Sequence, residues 1–445
     1  MAEIKPFRGI RYHWEALSSE EMGALVAPPY DVIGEEEQEQ LYRRHPANIV
    51  RLDLNRIQRS DTGEDNRYER ARRHLFDWLA QGTMVVDRKP TMYAHEQEFC
   101  DERGEEFRRR GFVAVTRLAD YEEKVVLPHE RTLRGPKEDR LQLMKATECN
   151  LSQIFFLYDD PEFLVDRALF TDEVEASEPA VDIHTADEIC HRLWNITDYH
   201  VHERVARALQ DRPLLIADGH HRYETALAYR DFRRSIADRD DRSAPYEYVM
   251  GFFVNIHDPG LQVFPTHRVV HSVENFDFDA LRQALKEQAD FQVTPIPTAQ
   301  LSDVAALRQE LAHLGEEGTA LALVRAGGGE GFFLRFTGDS TAPFFGDDLP
   351  EAVRQLDVAV LHEGVLQSHL NIDREAQEAL TNLRYVKSWQ DGMKALKEPD
   401  TQLVAFMNAT PVSQVYDVCL SGGLMPQKST YFYPKILSGL VLNPL

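Results

Sequence analysis

The chain has 445 residues, too many for one hydrophobic core, and its apolar (43%) and charged (28%) fractions are ordinary for a soluble globular protein of two or three domains. Acidic residues outnumber basic ones by 74 to 50, a formal charge of −24, which argues against general nucleic-acid binding because that needs a basic face. No apolar run reaches the roughly 20 residues of a membrane helix, and Met1-Ala2-Glu3-Ile4-Lys5 lacks the apolar core of a signal peptide. The four cysteines, Cys100, Cys149, Cys190 and Cys419, show no knuckle or redox spacing, so a reduced, cytoplasmic protein is expected.

In chain order, Ala27-Pro28-Pro29-Tyr30-Asp31-Val32-Ile33 is expected to be an ordered loop, since paired prolines forbid helix. Helices are predicted at Glu35–Arg44 and Asp65–Gln81. Thr91–Phe99 and Phe107–Leu118 flank Asp101-Glu102-Arg103-Gly104 as a β-hairpin. A helix over Lys137–Asn150 precedes a strand at Gln153–Tyr158. The acidic stretch Asp159–Ala186 is read as irregular, and Tyr199–Gln210 as a helix. A strand at Tyr246–Ile256, helices near Asp279–Gln288 and Asp303–Leu314, and strands at Leu321–Arg325 and Phe332–Phe336 follow, the last two joined by a Gly327-Gly328-Gly329 turn. The mixture predicts an α+β (mixed α/β) fold, with regions at 1–120, 121–243 and 244–445.

The most informative stretch is Asp218-Gly219-His220-His221-Arg222. Arg212–Ala217 reads as a buried strand and Tyr223–Arg230 as a helix. A strand that turns tightly at a glycine into a helix aims free backbone N–H groups and the positive end of the helix dipole at one spot. Arg222 adds a planar donor fork suited to phosphate, and Asp218 is a candidate ligand for a divalent cation. Each residue also has a plain structural role open to it, Asp218 as a helix cap and Gly219 as a turn residue.

Three other polar runs stand out. In Pro128-His129-Glu130-Arg131-Thr132, Glu130 is a candidate general base, because a carboxylate in a partly dry pocket can be tuned toward neutral pH; a surface His-Glu pair is the alternative. Thr266-His267-Arg268 brings a cationic group to a site or simply ends a strand. Near the C-terminus, Lys428-Ser429-Thr430 offers phosphate-type ligands behind a glycine turn without being a Walker A motif, and Tyr431-Phe432-Tyr433 fits either a buried strand or a platform. No Gly-x-Gly-x-x-Gly loop and no Gly-x-Ser-x-Gly elbow occurs.

On Ala27–Ile33, Pro128–Thr132, Asp218–Tyr223 and Met425–Lys435, the chain resembles from end to end a bacterial family known as a domain of unknown function, number ten-fifteen. The Asp-Gly-His-His-Arg turn with His-Glu upstream also resembles the free serine kinases of the ParB/sulfiredoxin-like superfamily. That resemblance implies a ParB/sulfiredoxin-like core elaborated by N-terminal and C-terminal α/β segments. It implies transfer of a phosphoryl group to free L-serine, with Glu130 as base and with Asp218, His220, His221 and Arg222 holding phosphates and Mg²⁺.

On this reading His129 and His221 join Glu130 in catalysis. Gly219, His220, Arg222, Lys428, Ser429 and Thr430 bind phosphate, Arg131, Thr132, His267 and Arg268 bind substrate, and Asp218 binds metal. The serine kinases offer no counterpart of Lys428-Ser429-Thr430. The donor stays open among ATP, ADP and pyrophosphate. The partner expected is a small molecule, with no nucleic acid and no membrane, and the oligomeric state is left open. A ParB-like nucleotide switch and a non-catalytic phosphate-ligand-binding protein are the competing readings.

Overall fold

The computed structural model describes residues 1–130, 134–239, 241–346, 349–426 and 428–445; the side chains of 134–136 and 173 are not described. It is a mixed α+β protein whose described residues form two units. Unit 1 is Met1–Pro128, Thr132–Gln262 and Pro434–Leu445. Unit 2 is His129–Arg131 and Val263–Tyr433. No helix among the described residues is long and apolar enough to cross a membrane.

Unit 1 is built on a nine-stranded sheet. Its strands are β1 (Ile4–Lys5), β2 (Met92–Cys100), β3 (Glu106–Arg117), β4 (Val126–Leu127), β5 (Ile154–Tyr158), β6 (Val181–His184), β7 (Cys190–Ile196), β8 (Leu214–Asp218) and β9 (Tyr248–Asn255). Their order is β4-β8-β5-β9-β3-β2-β7-β6, with β1 added along β3. The β4–β8 and β5–β9 pairs are parallel and the other pairs antiparallel.

The central strands read as continuous apolar runs because they are covered on both faces. Ile154-Phe155-Phe156-Leu157-Tyr158 and all of Tyr248–Asn255 are buried. Phe156 and Phe253 stack with ring centroids 5.2 Å apart, and Phe112 stacks on Phe253 at 5.0 Å. Helix α1 (Arg134–Thr147) packs beside helix α2 (His220–Ile236). Tyr223 of α2 is fully enclosed, and its hydroxyl both donates to the Ala119 carbonyl (2.7 Å) and accepts from the Ala119 N–H. This locks the start of α2 onto the sheet.

Unit 2 carries a six-stranded antiparallel sheet. Its strands are β10 (His267–His271), β11 (Phe291–Pro295), β12 (Ala320–Arg325), β13 (Gly331–Phe336), β14 (Leu383–Val386) and β15 (Thr401–Met407), in the order β11-β13-β12-β15-β10-β14. The predicted Gly327–Gly329 turn joins β12 to β13, with Gly327 and Gly328 at φ of 84° and 70°. A π-helix spans Val360–Gln367.

The Asp101–Gly104 hairpin forms as expected, with Cys100 opposite Glu106, and the helix predicted over Glu35–Arg44 has those bounds. The stretch Asp159–Ala186 is not irregular. It forms helices Leu164–Leu169 and Asp172–Glu175 and the strand β6. Val165, Ala168 and Leu169 supply a helical apolar stripe too short to show against the acidic background, and the buried Asp160 carboxylate accepts from the Val165 N–H (3.0 Å). The helix after the glycine turn is longer than Tyr223–Arg230, because His220, His221 and Arg222 are themselves its first turn.

Candidate functional site

The unit 1 cluster starts from the end of β8. The register of β8 on β5 slips between Ile216, opposite Phe156, and Asp218, opposite Phe155. Such a bulge bends a strand and re-aims a side chain. Gly219 follows at φ 96°, in the left-handed region that favours glycine, and α2 begins at His220. A Cβ at Gly219 would lie 2.9 Å from Arg222 Nε, so the missing side chain also makes room for the guanidinium.

Asp218 is held by two cations. Lys435 Nζ lies 3.1 Å from Oδ2, and Arg222 Nη2 lies 3.5 Å from the same oxygen. Arg222 also donates to the Gln153 carbonyl. Lys435 is positioned by a polar cluster within the core: Arg109 donates to the Pro434 carbonyl (2.6 Å) and Gln97 to the Lys435 carbonyl (3.4 Å). His220 is buried, and the His221 carbonyl accepts from the Thr225 hydroxyl (2.7 Å). A small cavity of about 40 Å³ is lined by Arg222, Arg140, Asp53 and Thr225. Arg140 lies over the Tyr30 ring at 4.1 Å, which gives the Pro28-Pro29-Tyr30 loop its place in this cluster.

Burial alone would raise the Asp218 carboxyl. Lys435, then Arg222, more than reverse that and hold it well below the usual carboxylate range. A depressed folded-state carboxyl stabilises the fold above its unfolded value, and that stability is lost as pH falls through the folded one. Asp218→Asn is therefore expected to cost about 1–3 kcal/mol at pH 7, leaving two cations without their counter-charge. Urea unfolding from pH 7 downward checks this: the gap between variant and wild type narrows once the pH drops below the carboxylate range, and a pH-independent gap contradicts it.

The donor set does not fit a resident Mg²⁺ at Asp218, because its carboxylate is already shared by two cations. Among the described residues, the His, Cys, Asp and Glu ligand atoms that gather as a trio within 4.8 Å are those of Asp182, His184 and Cys190, away from this turn in sequence.

Unit 2 brings together two motifs nearly 300 residues apart. His129-Glu130 lies alongside Met425: the two segments pair in parallel at Glu130 and Met425, and the Met425 N–H donates to the His129 carbonyl (2.7 Å). The loop then folds over the glutamate. Ser429 N–H donates to Glu130 Oε1 (3.3 Å), and His129 Nε2 sits 3.0 Å from Thr430 Oγ1 and 3.7 Å from Glu130 Oε1. His129 is buried, while the Glu130 side chain keeps 19% exposure, enough to reach a ligand. The Ser429 hydroxyl is spent on the Pro426 carbonyl (2.5 Å). Lys428 is exposed, at φ 57°.

His267 and Arg268 sit inside unit 2. His267 is packed between Trp389 and Phe406, with ring centroids 4.9 and 5.0 Å away, and its Nδ1 accepts from the Met407 N–H (3.2 Å). Burial pushes its imidazole down to about 3, so it is neutral. The expectation that it meets substrate is corrected: it is a core residue of β10. Arg268 is equally enclosed and donates to the carbonyls of Thr266 and Lys428, so it holds the Lys428 backbone in place. Arg131 and Thr132 lie outside the described residues.

Sequence reasoning named neither Lys435 nor the Asp53–Arg140 pair as site residues. Lys435 follows an aromatic run that drew attention away from it, and Asp53 and Arg140 carry no local signal.

The fold and these clusters define a mixed α+β protein with a glycine turn at a helix N-terminus and a His-Glu pair closed over by a C-terminal loop. The chain belongs to the family described as "Protein of unknown function (DUF1015)", whose family model matches residues 4–359. No curated protein matches it. Among solved structures it is similar to a free serine kinase in complex with AMP (14% identity, TM-score 0.33, 74% of this chain and 92% of that one). It is also similar to a conserved hypothetical protein from Pyrococcus furiosus (14%, 0.34, 73% and 92%) and to C-terminally truncated SbnI from Staphylococcus aureus (9%, 0.31, 73% and 85%).

Proposed function

We propose that the chain is a small-molecule kinase with a ParB/sulfiredoxin-like core, transferring a phosphoryl group from ATP, ADP or pyrophosphate to the hydroxyl of free L-serine to give O-phosphoserine. The observation that carries this reading is the Gly219 turn: a left-handed glycine at the mouth of a helix, with Arg222 and Lys435 converging on one carboxylate oxygen. Phosphoryl transfer needs positioning and charge neutralisation more than covalent chemistry, and this turn, with Lys435 beside it, supplies oriented N–H groups and two cations against one carboxylate.

In the reaction, Glu130 takes the acceptor's hydroxyl proton. The acceptor oxygen forms a bond to the donor's terminal phosphorus, the bridging P–O bond breaks, and its electron pair leaves with the remaining nucleotide or phosphate. Arg222 and the N–H groups after Gly219 are the donor-phosphate ligands that unit 1 supplies. His129 fixes Glu130, Thr430 and the loop around them.

Arg222→Met tests the donor half. Affinity for ADP and pyrophosphate, titrated separately by calorimetry into full-length protein, is expected to fall at least tenfold, as for a lost charge-assisted hydrogen bond. Unchanged affinity in a folded variant would remove the turn from phosphate binding.

A further inference from the structure

Unit 2 contains a cavity of about 230 Å³ with no part in the steps above. Its wall includes His362, Glu363, Arg374, Glu378, Tyr385 and Met425. Pockets for drug-sized ligands run to roughly 300–1,000 Å³, so this one suits a smaller metabolite. Met425 pairs with Glu130 along the backbone, which ties the cavity wall to the candidate base.

Two features mark it as a built site. First, His362 and Glu363 project from the π-helix Val360–Gln367, a rare geometry that recurs at functional sites. Second, His362 is 3% exposed and its Nε2 has no hydrogen-bond partner among the described residues. Buried polar atoms are paired in the great majority of cases, so an orphan at a cavity wall is an acceptor that a ligand in the cavity can use. Gln377 bonds to the same ring, and burial keeps the imidazole neutral.

Among the described lining residues, Glu363 is 5% exposed and Glu378 faces the same space, with the guanidinium of Arg374, whose Nε lies 3.1 Å from Glu363 Oε1. A second guanidinium, Arg268, lies over the Tyr385 ring at 5.1 Å and acts on His362. A buried carboxylate with a second one facing it accepts a cationic donor more readily than an anion.

Resting on the kinase reading above, we infer that this cavity is the acceptor pocket and that it takes a small hydroxy compound through its ammonium group, which sits between Glu363 and Glu378 with the His362 Nε2 accepting from the same ligand. Recognition therefore follows the amine, and amino alcohols qualify alongside hydroxy amino acids.

Calorimetry on full-length protein without any phosphate donor tests this, with L-serine, L-homoserine, ethanolamine and D-glycerate as probes. The three amines are expected to bind and D-glycerate, which keeps a hydroxyl and carboxylate but has no amine, to bind at least tenfold more weakly. Glu363→Gln should weaken every amine at least tenfold while leaving ADP binding unchanged. Should that buried substitution prevent folding, Glu378→Gln, at an exposed position, carries the same expectation with a smaller loss. Equal affinity for D-glycerate, amine affinity indifferent to both substitutions, or no binding by any probe overturns the pocket. An amine that binds here but is never phosphorylated sinks the kinase reading and leaves the pocket standing. Phosphoserine formed with an unchanged KM in Glu363→Gln does the reverse.

Discussion

Glu130→Gln is expected to lower the turnover of L-serine phosphorylation by about 10²–10⁴-fold, the contribution of a positioned general base. The substitution keeps the shape and an oxygen for the Ser429 N–H, so the loop over it stays closed. Donor affinity is expected to be unchanged, since the cations that meet phosphate in the proposed mechanism, Arg222 and Lys435, pair with Asp218 and not with Glu130. Steady-state kinetics with binding measured in parallel separates the two: a fall in kcat with unaltered donor affinity is the expected result, and near-wild-type turnover removes Glu130 from the mechanism.

The second large effect is on stability. Arg140 and Asp53 form a buried pair in unit 1: Arg140 Nη1 lies 2.6 Å from the Asp53 carbonyl and 3.4 Å from Oδ1, and the Ser438 hydroxyl donates to Oδ2 at 2.7 Å. Removing one partner of a buried pair strands the other, at about 3–5 kcal/mol, so Arg140→Met is expected to lose that much at pH 7. Burial raises the Asp53 carboxyl above its ordinary value, with Arg140 and then Ser438 opposing the rise. A raised folded-state carboxyl favours folding at low pH, and that contribution is lost as pH rises through the folded value. Taking Arg140 away raises it further, so the deficit is greatest at neutral pH and shrinks in acid. Denaturant unfolding of both proteins at pH 7 and pH 4 checks it. A deficit that is constant or larger at pH 4 contradicts the assignment.

Local signals carried the elements that have strong periodicity or punctuation. The Asp101–Gly104 hairpin, the Gly327–Gly329 turn and the strand–glycine–helix stretch around Gly219 were legible because each depends on residues a few positions apart. What escaped depends on long-range pairing. Lys435 reaches Asp218 across 217 residues, and Ser438 reaches Asp53 across 385. The π-helix at Val360–Gln367 shows no one-sided apolar stripe, since all but Gln367 are buried, His362 and Glu363 included. His267 and Arg268 looked like site cations because charge in a sequence says nothing of depth; both proved enclosed.

The candidate site was legible in its parts more than in its assembly. His129-Glu130 and Lys428-Ser429-Thr430 each drew attention alone, but only the fold shows Ser429 and Thr430 bonding to Glu130 and His129. Asp218 was read as a metal ligand because an isolated aspartate offers a free carboxylate. The fold adds what the sequence hides: Lys435 and Arg222 both meet that carboxylate, through Oδ2.

The central claim is phosphoryl transfer to an amino-acid hydroxyl, and phosphorus NMR of the full-length protein with L-serine, Mg²⁺ and, in separate samples, ATP, ADP and pyrophosphate tests it most directly. A new phosphomonoester resonance matching O-phosphoserine is expected with at least one donor, growing as that donor's terminal phosphate is consumed. Donor hydrolysis to inorganic phosphate alone, or no consumption of any donor, would contradict it.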